Sequence, residues 1–94
     1  MTKKRLRHKI DNLVSDAGLD DEGIMLADGF ELAFIGLSTY QPNRPICAVY
    51  DFNRCIRICQ RAGLTYDEAV EHLGFNVTDA YVGEHTPIFL NKYP

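Results

Sequence analysis

Apolar positions recur at helical spacing in three stretches of the chain. In residues 3–17 they are Leu6, Ile10, Leu13, Val14 and Ala17, with lysines and arginines on the other face. This predicts an amphipathic helix, stopped by Gly18. In residues 51–62, Phe52, Cys55, Ile56, Cys59 and Ala62 share one face, widened by Ile58. Asp51 is the expected N-cap, Arg54, Arg57 and Arg61 the solvent side, and Gly63 the stop. The third helix opens on a capping box, Thr65 with Glu68, and Leu64 is placed to staple onto Ala69. Ala69, Val70 and Leu73 are its expected core side. Gly74 reads as a C-cap or as a bend into FNVTDAYV, where Phe75, Val77, Ala80 and Tyr81 also pack and Thr78 is a second cap.

Residues 31–50 have strand content instead. The arms ELAFIGLSTY and PICAVY carry β-branched and aromatic residues around a QPNR turn, which predicts a β-hairpin. Gly36 points to a bulge or a close backbone approach. ELAFIGLS also admits a helical reading. Ile24–Ala27 is too short for its periodicity to choose between helix and extended chain. Pro87–Leu90 predicts a last strand, with Ile88 and Leu90 facing one way and Phe89 the other. The expected architecture is α+β: one domain over residues 1–94, with a small three-stranded antiparallel sheet (the hairpin plus the C-terminal strand) packed against about three helices.

Charge sharpens this picture. The formal net charge is −3, yet residues 1–10 hold five of the ten basic side chains and no acid. Residues 11–94 hold thirteen acids against five bases, a net of −8. An acidic body is a poor non-specific partner for duplex DNA, because phosphate neutralisation drives that binding. The basic N-terminal helix keeps contact with nucleic acid or an acidic protein surface open. At 46% hydrophobic and 24% charged, the composition is that of a folded chain. Asp11, Asn12 and Asp16 interrupt any apolar run after the basic start, so neither a signal peptide nor a membrane span is expected. That makes the cytoplasm the expected compartment.

Candidate chemistry is sparse. Cys47, Cys55 and Cys59 are odd in number and lie among apolar neighbours, which predicts buried free thiols. The Cys55/Cys59 spacing lacks two further metal ligands, and no cofactor is expected. No phosphate loop, dinucleotide fingerprint, nucleophile elbow or zinc-protease motif occurs. Glu68 and His72 stand one helical turn apart, but Glu68 is taken by the cap. His8 and His85 have no nucleophile beside them. Asp28 with Glu31, and Asp51 with Glu84, are the candidate carboxylate pairs. A polar-aromatic group remains: Asn76, Tyr81, Glu84, Thr86 and Pro87. It reads as a structural corner first, in which Asn76 ties a bend, Glu84 accepts backbone N–H groups of the Gly83 turn and Thr86 caps a strand. Its second role is as a binding surface. Tyr50, Tyr81, Arg54 and Arg57 are the candidates to stack on a base or grip a phosphate.

The strings ADGFELAFIG, AVYDFNRCI and LTYDEAVEHLGFNVTDAYVGEHTPIF resemble a family of small uncharacterised proteins of phages, plasmids and bacteria. The last string is the most distinctive, an FNVxxAYVGExTPIF-like motif. The resemblance runs over residues 27–90 and leaves out the basic N-terminal helix. The family often has an acidic residue where Gly74 stands, which implies a helix that runs on. It carries over no catalytic residue and implies action inside a bacterial host. The expected function is that of a small, phage-related interaction or regulatory protein. It would bind a host or phage protein, or itself, without catalysis. An oligomeric nucleotide binder, nucleic-acid contact through the N-terminal helix and a small enzyme are the alternatives.

Overall fold

The computed structural model describes residues 3–19, 23–39, 41–43, 45–74 and 83–92. The element order is α1 (Lys3–Asp16), a 3-10 turn (Glu31–Ala33), β1 (Phe34–Leu37), β2 (Ala48–Asp51), α2 (Phe52–Arg61), α3 (Tyr66–Leu73) and β3 (Ile88–Leu90). This is a small α+β domain.

α1 and α2 end in the same way. At the end of α1, Gly18 N–H donates to Ser15 O and Leu19 N–H to Val14 O. At the end of α2, Gly63 N–H donates to Gln60 O and Leu64 N–H to Cys59 O. Both are the paired reverse bonds of a Schellman cap, and both glycines have positive φ, 72° and 107°. Gly74 behaves differently. Its φ of −60° and ψ of −48° are right-handed helical, so it does not stop α3 as a C-cap glycine would.

The capping box of α3 is complete. Thr65 Oγ1 accepts from Glu68 N–H at 3.2 Å, and Glu68 Oε1 accepts from Thr65 N–H at 2.9 Å. That backbone bond holds the Glu68 carboxyl below its ordinary range. A carboxyl with a depressed folded value stabilises above its unfolded pKa, and that contribution fades as the pH falls through the folded value. Thr65→Ala keeps that backbone bond but removes the acceptor of Glu68 N–H, and should cost about 1 kcal/mol in urea unfolding at neutral pH.

The sheet order is β1-β2-β3, so β2 is central. β1 and β2 are antiparallel, in the register Phe34↔Tyr50, Gly36↔Val49 and Leu37↔Ala48. Between Phe34 and Gly36 the register slips, leaving Ile35 as the extra residue of a bulge, where Gly36 suggested one. The residues before β1 form the 3-10 turn, so the helical character of ELAFIGLS is confined to its first three residues. One expectation fails: β3 runs parallel to β2, in the register Val49↔Ile88, Tyr50↔Phe89 and Asp51↔Leu90. The sheet is mixed. Parallel neighbours need a long crossover, and the connection here, residues 52–87, contains both α2 and α3.

Tyr50 is the centre of the core at 1% exposure. Its ring meets Phe34 edge-on and Phe89 in a stack, each at 5.6 Å between centroids. Phe34, Tyr50 and Phe89 are direct cross-strand partners, so one aromatic row ties all three strands. Its hydroxyl accepts from Ala27 N–H at 2.8 Å, anchoring the segment before the 3-10 turn. Ile24–Ala27 is neither helix nor strand, and Ile24, Leu26 and Ala27 pack against the core. Ala33, Ala48 and Ala69 are fully buried and let the surrounding elements approach closely. α3 contributes Ala69 and Leu73; Val70, expected to join them, is exposed.

Candidate functional site

The two basic helices meet the same three-residue turn. Both α1 and α2 pack against Glu31–Ala33. Glu31 lines the α1 side, and Leu32, which is 45% exposed, lines the α2 side.

On α2 the cations follow from helical geometry. At about 100° per residue, Arg54, Arg57 and Arg61 fall within an arc of about 60°. That arc lies opposite the buried Cys55, Ile56 and Cys59. With Leu32 and Ile58 the arginines line a groove of about 210 Å³. Arg54 is partly engaged, its Nε standing 3.7 Å from Asp51 Oδ2. Arg57 and Arg61 have no carboxylate partner among the described residues. Asp51 itself is buried. It caps α2 through Arg54 N–H at 3.3 Å, and Lys92 Nζ stands 3.8 Å from it.

On α1, Lys4, Arg5, Arg7 and Lys9 line an open groove of about 810 Å³ whose far wall includes Glu31. Arg7 pairs with Asp11 at 3.3 Å and with Asp28, which docks the helix on the body. One Glu31 carboxylate oxygen, Oε2, is enclosed without a hydrogen-bond partner. A smaller groove beside it is lined by Leu6, Ile10, Leu13 and Phe34, together with Lys9 and Glu31. The surface as a whole offers cations interleaved with exposed aliphatic side chains.

Of the residues singled out for binding, Tyr50 does not qualify. Its ring is enclosed by Phe34 and Phe89 and its hydroxyl is committed to Ala27, so no face is open to a base. Arg54 does lie on an exposed surface, in the groove with Leu32, Arg57, Ile58 and Arg61. Asn76 and Tyr81 lie outside the described residues. Glu84 is exposed, and its carboxylate makes no hydrogen bond among the described residues, so it does not tie the Gly83 turn as expected. Thr86 does that, with Oγ1 donating to Gly83 O at 2.7 Å. His85 adds a second tie, its Nδ1–H donating to Ile46 O at 2.7 Å. The Cys47 thiol meets Glu84 O at 3.4 Å. The described part of the turn, residues 83–87, is thus fastened to the two residues just before β2, and the rest of the expected corner, residues 75–82, lies outside the described residues. The role of His85 had no sequence signal, because it depends on a partner 39 positions away.

The thiols are poor nucleophiles. Burial, with the nearby Cys59 and Asp51, pushes Cys55 up to about 12, and burial also raises Cys47 and Cys59. All three are free and buried. Among the described residues no three metal-ligating side chains converge, and no helix is long and apolar enough to cross a membrane. Comparison of the chain with family models, curated proteins and solved structures finds no match.

Proposed function

We propose that this protein is a non-catalytic interaction domain that binds an acidic segment of a partner protein across the face shared by α1, the 3-10 turn and α2. The observation that carries this reading is the arginine arc of α2, with Arg57 and Arg61 unpaired among the described residues beside the exposed Leu32. Nine of the thirteen acids lie among the described residues and none of them pairs with Arg57 or Arg61, which favours an external anion. Arginine next to exposed aliphatic surface is the composition of a protein interface. The groove of about 210 Å³ is smaller than the ~300–1,000 Å³ typical of small-molecule pockets, and suits one anchoring side chain. A single-stranded nucleic acid would want several exposed aromatic rings to stack on, and the three grooves offer no Tyr or Trp, only the half-buried Phe34 and the imidazole of His8. In keeping with the resemblance to phage, plasmid and bacterial proteins, the partner is placed inside a bacterial cell, as a host or phage protein.

Fluorescence anisotropy tests the reading. The probe is a labelled peptide of Glu, Asp and Leu residues, titrated at low salt. Binding should weaken as salt rises, since exposed charges are screened within about 10 Å at 0.1 M. The double variant R57E/R61E should lose at least about tenfold in affinity, equivalent to about 1.4 kcal/mol. Unchanged binding in that variant would overturn the reading. So would a labelled oligonucleotide that binds better than the peptide, which would transfer this face to nucleic acid.

A further inference from the structure

The chemistry that the basic face selects also occurs on α3 of the same chain. Taking the buried Ala69 and Leu73 as the inward side, Asp67 and Glu71 stand one turn apart at the centre of the outward side. Both are exposed, and neither has an ion pair among the described residues. Val70, 38% exposed, lies beside Asp67, and the exposed Tyr66 stands one turn before Val70 on that flank. α3 therefore presents two unpaired carboxylates next to two apolar side chains. The basic face presents two guanidiniums, unpaired among the described residues, next to Leu32 and Ile58. Sign, spacing and polarity correspond: the carboxylates are four residues apart, as are Arg57 and Arg61, and each pair adjoins apolar surface.

We infer that a second copy of this chain seats its α3 on the basic face. This rests on the reading of that face as a docking surface, and it names one occupant. The contact cannot form within one molecule. α2 and α3 share one core cluster through their inward sides, so the arginine arc and the acidic side of α3 point away from each other. Association is then head-to-tail: each molecule offers one donor face and one acceptor face, and the array closes into a ring or continues as a chain. An eight-residue helix is about 12 Å long and covers well under ~1,200 Å², the range of weak encounters. Self-association is therefore weak, concentration-dependent and salt-sensitive, and an acidic segment of another protein competes with it directly.

Sedimentation velocity on the full chain, over a concentration series at low and high salt, reads this out. The wild type should shift to larger species at high concentration and low salt. D67K/E71K and R57E/R61E should each lose association at least tenfold. Mixed in equal amounts, those two variants should associate again, which a merely misfolded variant could not do. Glu68 is left in place so that the capping box survives. Association of either variant alone at wild-type strength would overturn the inference, as would failure of the mixture to associate. A wild type that stays monomeric while the acidic peptide still binds would overturn it too, and would leave the proposed function standing. Loss of peptide binding as well would remove both.

Discussion

Tyr50→Ala should leave little or no folded protein at room temperature. A domain of this length has a total stability of about 5–14 kcal/mol. Truncating a fully buried large aromatic costs about 3–5 kcal/mol. Here the loss is compounded, because the Tyr50 hydroxyl is the partner of Ala27 N–H and the ring joins β1 to β3. An amide left without its partner adds about 1–3 kcal/mol. Circular dichroism and urea unfolding would measure the outcome. Tyr50→Phe separates the two contributions, since it keeps the aromatic row and removes only the hydroxyl, and should fold with a lower urea midpoint. If Tyr50→Ala unfolds near the wild-type midpoint, the row does not hold the sheet together.

Leu73→Ala comes next, at about 2–5 kcal/mol. α3 touches the core with Ala69 and Leu73 alone among its buried residues, and Leu73 is by far the larger. Its removal opens a void in the core cluster that it shares with Cys55, Ile56 and Cys59. Urea unfolding should show a lower midpoint. Native-state hydrogen exchange should show the largest added loss of protection in α3, because the capping box alone cannot hold an eight-residue helix. A midpoint unchanged within error would mean that α3 is held by something other than its buried face.

How far the chain could be read in advance divides by range. All three helices followed from local signals: the spacing in α1 and α2, the glycines at 18 and 63, and Thr65 with Glu68. The bulge at Gly36 was local too. The direction of β3 was not, since Ile88-Phe89-Leu90 alternates identically in either direction and only the crossover through α2 and α3 decides it. Alternation alone does not choose the inward side of β3 either, and Phe89 takes it because Tyr50 lies across from it. An aromatic at a strand end carries no mark of being covered, so the sequence alone offers Tyr50 to a ligand. The arginine side of α2 was plain from spacing. That α1 and α2 flank one turn was not, because the turn is 15 residues after α1 ends.

The extra residue at Ile35 bears on how this protein behaves when crowded. β1 is an edge strand, and Phe34–Leu37 is short, apolar and uncharged, the sort of segment that invites another strand alongside. A flat edge of this composition would be a seed for fibrils. The bulge breaks the repeat of donors and acceptors after one residue and adds local twist, so an incoming strand finds no continuous register to follow. The irregularity therefore makes this margin of the sheet a poor template for a further strand, and replacing Gly36 with a strand-forming residue should raise the tendency of concentrated solutions to polymerise through β1.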